Sequence, residues 1–297
     1  MIDIGTTGLL APGRLRWLRA IGWMIALAAG LVVTFNAVAK ACVWLLAVDA
    51  GKAFDMDKLI AACAGAVAIL LLYWVAVRFA ERRRVSELSL RQLPAELMLG
   101  SVIGAALIGL IIGLLWLVGW VLIEPQPVSR IALALRDSIR SGVVEEVLLR
   151  LVIFRLLWRG FGIWPALVIS SALFGVLHLA NPDSSLFAAL ALAAGEGIGI
   201  GLYLITGRIW ASIGMHGAWN FTQGWVFGAV VSGTTDIAGG PLSLRPAAGA
   251  PDLMSGGGFG PEASLAALIV SLLASAALLW WPWTRGRFVA AAQPASG

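Results

Sequence analysis

Charge is what this chain lacks most. Of its 297 residues only 12% are Asp, Glu, Lys or Arg, 60% are hydrophobic, and the mean hydropathy is +0.92. A soluble domain carries about 25% charged residues, so half that share, with several long apolar runs, points to a membrane protein. Cysteine is equally scarce. Cys42 and Cys63 both fall inside apolar runs, which excludes a disulfide framework and leaves them as small buried hydrophobes. Heptads, a fixed internal repeat and a break in composition are all missing, so neither a coiled coil, a solenoid nor a second domain is expected. The net charge of +5 and pI of about 9.9 would suit a nucleic-acid partner if the basic residues formed a face. They cluster instead beside apolar runs, as topology signals do, and no nucleic-acid partner is expected.

A membrane span needs about 20 mostly apolar residues. Eight stretches qualify, near 19–47, 58–80, 97–123, 138–159, 162–180, 184–206, 209–231 and 263–283. The apolar run after Arg14, Arg16 and Arg19 is too long for a signal-peptide core, so it is read as the first span. The expectation is an all-α polytopic membrane protein, a bundle of about eight transmembrane helices enclosing a polar cavity, in one domain over 1–297. Residues 232–262 are too rich in glycine and proline to be helical and form a loop before the last span. Arginines at 14–19, 78–91, 155–159, 208 and 285–287 fall on one side of such a bundle, against Arg130, Arg136 and Arg140 on the other. The balance places both termini in the cytoplasm.

Against this apolar background, "SGVVEEVLLRLVIF" (Ser141–Phe154) holds Glu145, Glu146 and Arg150 inside the fourth span. A charge at mid-membrane costs about 2.5–3.5 kcal/mol on the insertion scale, so these side chains should face the bundle interior. At 100° per residue Glu146 and Arg150 share a helical face, while Glu145 lies about 140° from Arg150. Arg150 can then neutralise Glu146 and leave Glu145 free. The bland alternative, a salt bridge locking two helices with Glu145 a bystander, has comparable weight on this motif alone.

The two histidines of the chain also lie in spans. "FGVLH" sets Phe174 one turn from His178, and "HGAWN" sets His216 one turn from Asn220. A lone histidine on an apolar helix is more often a hydrogen-bonded core residue than a catalyst. Two of them, a carboxylate pair and an amide over three spans must instead face one another, because lipid satisfies none of them. Counted along straight spans, His178 sits near the outer end of its helix and His216 nearer the cytoplasmic end of its own. Their meeting calls for a sixth span that is short, tilted or broken, and "AAGEGIGIG" offers glycines for a break. Glu196 within that stretch is a further buried charge with no assigned role.

"EEVLLR", "FGVLH" and "HGAWN" resemble the EExxxR, FxxxH and HxxxN motifs of the type II CAAX prenyl endopeptidases, within the wider family of CAAX proteases and bacteriocin-processing enzymes. The resemblance runs from about Leu88 to the last span and includes "GGGFGPEASL". It implies an intramembrane glutamic endopeptidase whose catalytic helices occupy 138–231. Glu145 and His178 would activate a water, His216 and Asn220 would stabilise the oxyanion, and Glu146 and Arg150 would support them. It further implies a membrane-associated, possibly lipidated, protein or peptide as substrate, the lipid bilayer as surroundings and a bacterial cell membrane as location. No cofactor is implied. Glu145, His178 and His216 could alternatively hold zinc with an open position for water, although no HExxH is present. A non-catalytic reading also stays open: an immunity or scaffold factor, or a proton-coupled transporter, the last disfavoured by the lack of paired broken helices. Oligomeric state is not legible.

Overall fold

A computed structural model describes residues 2–47 and 54–288. It is helical almost throughout, in this order: α1 (Arg16–Ala47), α2 (Asp55–Phe79), α3 (Leu93–Val118), strand β1 (Val121–Pro125), α4 (Ile131–Ile139), α5 (Arg155–Phe161), α6 (Ile163–Leu177), α7 (Leu186–Thr206), α8 (Trp210–Asn220), strand β2 (Leu242–Pro246), the short α9 (Asp252–Ser255) and α10 (Leu265–Thr284). Among the described residues six helices are long and apolar enough to cross a membrane: α1, α2, the stretch ending in α3, α6 with its last turn, α7 and α10. The chain is an all-α, multi-pass membrane protein. The fourth and seventh expected spans fall outside those six for a physical reason. The fourth carries Glu145, Glu146 and Arg150 and is divided between short helices and wider turns, and the seventh holds His216 on α8, which is short.

Local sequence explains where the helices begin and end. Pro94 opens α3, where a missing N–H costs nothing, and Gly119 closes it in the left-handed conformation. The side chain of Ser185 caps α7 by accepting from the N–H of Ala188, and Ser264 caps α10 in the same way from Ala267. The expected third span, 97–123, runs too long at its end. After Gly119 the chain turns into β1, which pairs antiparallel with β2 from Val121↔Pro246 to Pro125↔Leu242. The seventh helix likewise ends near Val226 and not at 231. Glycine and proline in 232–262 prevent a long helix there, yet the segment is built, supplying β2 and α9 before it returns to α10.

The surface distribution is inverted relative to a soluble protein. Leu117, Leu186, Trp44 and Leu273 are largely exposed, whereas Glu81, Glu146, Arg150 and Arg155 are sealed inside. The main core packs Ile69 and Tyr73 of α2, Phe154 before α5, Tyr203 of α7 and Ile213 of α8 against Leu27 and Leu31 of α1. Elsewhere helices touch through glycine. A Cβ on Gly100 or Gly104 of α3 would lie 1.9 Å from the carbonyl of Ala211 or 2.1 Å from that of Met215, so only hydrogen lets α3 and α8 meet.

One end of the bundle gathers the arginines. Arg155 donates to both oxygens of Glu81 at 2.9 and 2.7 Å, and Arg83 bridges Glu81 and Glu87. Arg208 pairs with Glu96, and Arg287 reaches the carbonyls of Leu204 and Ile205. Burial pushes the Glu81 carboxyl up, but Arg155 and Arg83 outweigh it and hold Glu81 below the usual carboxylate range. These contacts bring Arg83, Arg155, Arg208 and Arg287 to one end of the bundle. The final residues, 289–297, and Met1 lie outside the described residues.

Candidate active site

The fourth segment is not the straight α-helix expected over 138–159. Between α4 and α5 the backbone widens to π-helical turns at Arg140–Glu145 and Val147–Phe154, with Glu146 at the junction, and a third wide stretch, Phe221–Val226, follows Asn220. Wide turns of this kind concentrate at functional sites because they re-aim side chains. Close approach of the first to α8 depends on two glycines. A Cβ on Gly142 would lie 3.0 Å from the carbonyl of Ile213 and 3.1 Å from Gly217 Cα, and one on Gly217 would lie 3.1 Å from the carbonyl of Ser138. Gly217 follows His216 directly, so this contact sets the imidazole against the carboxylate pair.

A cavity of about 230 Å³ lies between these elements, lined among others by Glu145, Glu146, Phe174, His178, Glu196, His216 and Asn220. All the residues expected to form the site are thus brought together. The two glutamates separate as the helical wheel predicts. Glu146 is sealed and its Oε2 lies 2.9 Å from Arg150 Nε, whereas the Glu145 side chain is 34% exposed, towards the cavity. Arg150 also reaches Glu196, with Nη1 2.9 Å from Oε1. These are charge contacts and not aligned hydrogen bonds, since none of the four atoms has a hydrogen-bond partner. Glu196, which the sequence left without a role, is the second counter-ion of Arg150.

Glu146 has a further duty. His216 Nδ1 lies 2.8 Å from Glu146 Oε1, and because a carboxylate only accepts, Nδ1 carries the proton. That bond fixes the ring so that Nε2 points towards Glu145, 3.7 Å from its Oε2. His178 is fixed differently. Its Nδ1 donates to the carbonyl of Phe174 at 2.8 Å, which leaves Nε2 as an acceptor. The ring of Phe174 spans the two imidazoles, with centroids 4.5 Å from His178 and 6.2 Å from His216.

The depth mismatch between the histidines is resolved without a break in the sixth span: α7 is continuous from Leu186 to Thr206. Its glycines serve contact. A Cβ on Gly199 would lie 2.0 Å from Arg150 Nη2, and Cβ atoms on Gly197 and Gly201 would lie 2.7 Å from Ser275 and Leu278. On α6, Gly175 allows the carbonyl of Ala189 within 2.2 Å of where its own Cβ would stand. Tight packing of α6 and α8 on an unbroken α7, with Phe174 filling the offset, brings both histidines to one cavity.

Three contributors escaped sequence reading. Ser141 Oγ accepts from Asn220 Nδ2 at 2.8 Å and donates to the carbonyl of Asp137 at 2.9 Å, which fixes the amide. The signal was available, since Ser141 stands one turn before Glu145 on the same segment. Glu262 and Ser232 come from the glycine-rich loop. Ser232, in the left-handed conformation at φ 48°, gives both its N–H and its hydroxyl to Glu262 Oε1, at 2.7 and 2.6 Å. Burial pushes the Glu262 carboxyl up, and the Ser232 bonds pull against it. Glu262 belongs to the "GGGFGPEASL" stretch, but its pairing with Ser232 has no local signal, because the loop has to fold back before they meet.

Zinc was the alternative use of Glu145, His178 and His216. Among the described residues no three His, Cys, Asp or Glu side chains converge closely enough to hold a metal ion. His216 Nδ1 is bonded to Glu146 and His178 Nδ1 to a carbonyl, which leaves the Nε2 atom of each ring free.

No curated protein and no solved structure matches the chain. Residues 127–222, which contain all three motifs, match the family model described as Type II CAAX prenyl endopeptidase Rce1-like, the family these motifs resemble.

Proposed function

We propose that this protein is an intramembrane endopeptidase that hydrolyses a peptide bond of a membrane-associated, possibly lipidated, protein or peptide. The observation that carries the reading is the contrast between two adjacent glutamates. Glu146 is locked between Arg150 and His216, while Glu145 opens on a cavity that also holds His178, His216 and Asn220. The open position of Glu145 on this cavity supports a working role for it over that of a bystander to the Glu146–Arg150 pair.

In this reading Glu145 takes a proton from a water, assisted by the free Nε2 of His178, and the hydroxide adds to the scissile carbonyl carbon. The carbonyl π pair moves to oxygen. Asn220, held by Ser141, and the protonated His216, held by Glu146, donate to that oxygen. With Nδ1–H given to Glu146, His216 donates from Nε2 only as the imidazolium. When the intermediate collapses the C–N bond breaks, and the proton on Glu145 passes to the leaving amine. Arg150 and Glu196 keep Glu146 in place. The bacterial cell membrane and cytoplasmic termini belong to the same proposal, the termini supported by the gathering of Arg83, Arg155, Arg208 and Arg287 at one end of the bundle.

The test is incubation of purified protein in detergent with fluorogenic lipidated and amphipathic peptides, the products read by mass spectrometry in H₂¹⁸O. One ¹⁸O in the new carboxylate is the expected result. Failure to cleave any peptide, with Glu145-dependent proton uptake into proteoliposomes instead, would favour the transporter reading.

A further inference from the structure

At the arginine-rich end, some guanidinium groups have acids and some do not. Arg83 and Arg155 share Glu81 and Glu87, and Arg208 has Glu96. Among the described residues no carboxylate lies within ion-pair distance of Arg14, Arg16, Arg19 or Arg159. Arg159 is the telling case. It is 2% exposed, its Nη2 donates to the carbonyl of Leu10 at 2.7 Å, and its Nε is buried with no partner. The charged side chains acting on it are Arg16 and Arg19, both of its own sign.

Those side chains are close because α5 lies against the start of α1. A Cβ on Gly160 would stand 3.4 Å from that of Ala20 and 3.7 Å from Trp17 Cα. Arg19 Nη2 donates to the carbonyl of Ala11 at 2.7 Å, the next carbonyl after the one that holds Arg159, and Arg19 Nε is also buried without a partner. Two guanidinium groups thus sit on consecutive carbonyls of one turn. Helix α1 begins at Arg16 with no acid in its first turn, so its positive dipole end adds to the same spot. Beside it, Arg14, Leu15, Leu18 and Arg19 line an open hollow, and Leu15 and Leu18 are exposed.

A buried charge without a counter-charge is strongly unfavourable, and here like charges are stacked around it. We propose that this cluster binds the phosphate of an anionic phospholipid, with Arg16 and Arg19 around the headgroup, Arg159 adding its uncompensated charge from beneath them, and Leu15 and Leu18 against its acyl chains. The shared chemistry is a phosphate anion. The adjoining leucines and the position at the end of a membrane bundle select the lipid as its source.

The experiment is thermal unfolding of full-length protein in neutral detergent with added phosphatidylglycerol, phosphatidylcholine or inorganic phosphate. Phosphatidylglycerol well above its Kd should raise Tm by about 5–10 °C. Phosphatidylcholine and inorganic phosphate should not. The half-exposed pair Arg16→Gln with Arg19→Gln should lose most of that rise. Arg14→Gln, on the exposed rim and safe for folding, should weaken phosphatidylglycerol binding about two- to fivefold in a titration. Arg91→Gln, an exposed arginine on the loop before α3, should keep the full response. Equal stabilisation by phosphatidylcholine, or no stabilisation by phosphatidylglycerol, would overturn the site. So would an equal loss in Arg91→Gln, which would reduce the effect to surface charge. Equal stabilisation by inorganic phosphate would overturn the lipid as the ligand.

Discussion

Replacing Gly199 by alanine tests the buried charge network without touching any charged residue. The new Cβ would stand 2.0 Å from Arg150 Nη2, 2.7 Å from Cζ and 2.8 Å from Nε. An arginine with room would swing aside. Arg150 is 2% exposed and held between Glu146 and Glu196, so moving it takes the counter-charge from two sealed carboxylates. Breaking a buried pair costs about 3–5 kcal/mol, and alanine returns at most about 1 kcal/mol of helix propensity. The net loss of about 2–4 kcal/mol corresponds to a fall in Tm of roughly 4–16 °C for a chain of this size. Displacing Arg150 also loosens Glu146 and, through it, His216, so cleavage should fall with stability. The assay is a melt in detergent beside Gly109→Ala, a helical glycine whose Cβ would meet nothing within 4 Å. A Gly199→Ala protein that melts and cleaves like Gly109→Ala would refute the reasoning.

Glu146→Gln should behave as a stability variant, lowering Tm by several degrees, because it weakens the hold on both Arg150 and His216; a folded, fully active Glu146→Gln would contradict this. Asn220→Ala should lower kcat by about 10²–10³ with little change in KM. Ser141→Ala, which frees the same amide, should shift kcat in the same direction by a smaller factor, and a rise in KM alone would move Asn220 from catalysis to substrate binding. Glu81 carries a pH dependence. Its folded pKa lies below the ordinary value of 4.5, so its stabilisation is complete above that value and is lost as the pH falls through the lower, folded one. Tm measured from pH 7 down to 3 should therefore drop more steeply for wild type than for Glu81→Gln, and parallel curves would rule out the linkage.

The fold and the ingredients of the site were legible because each has a local signature. Apolar runs mark the spans, and in such runs any charge is visible against the background. The different surroundings of Glu145 and Glu146 followed from their angular distance from Arg150, and the contrast survived the widening of the helix because Glu146 sits at the junction of the two wide stretches. What sequence missed was long-range. Glu196 meets Arg150 only when α7 packs on the fourth segment, and Glu262 meets Ser232 only when the glycine-rich loop folds back. The glycines of α7 were read as a place for a break, whereas they are places of contact. A missing side chain announces freedom of the backbone and closeness of a neighbour in the same way, and the neighbour here comes from 49 residues earlier, at Arg150. The strands β1 and β2 were hidden for a related reason. Val121–Ile123 reads as the end of an apolar helix until Gly119 turns the chain.

The central claim is that Glu145 is the working carboxylate, and its most direct test is the single-turnover cleavage rate of Glu145→Gln, shown to be folded by its melt. The amide keeps the shape and removes the base, so the rate should fall by about 10²–10⁴ while Tm stays close to that of wild type. A folded Glu145→Gln protein that cleaves at the wild-type rate would contradict the account.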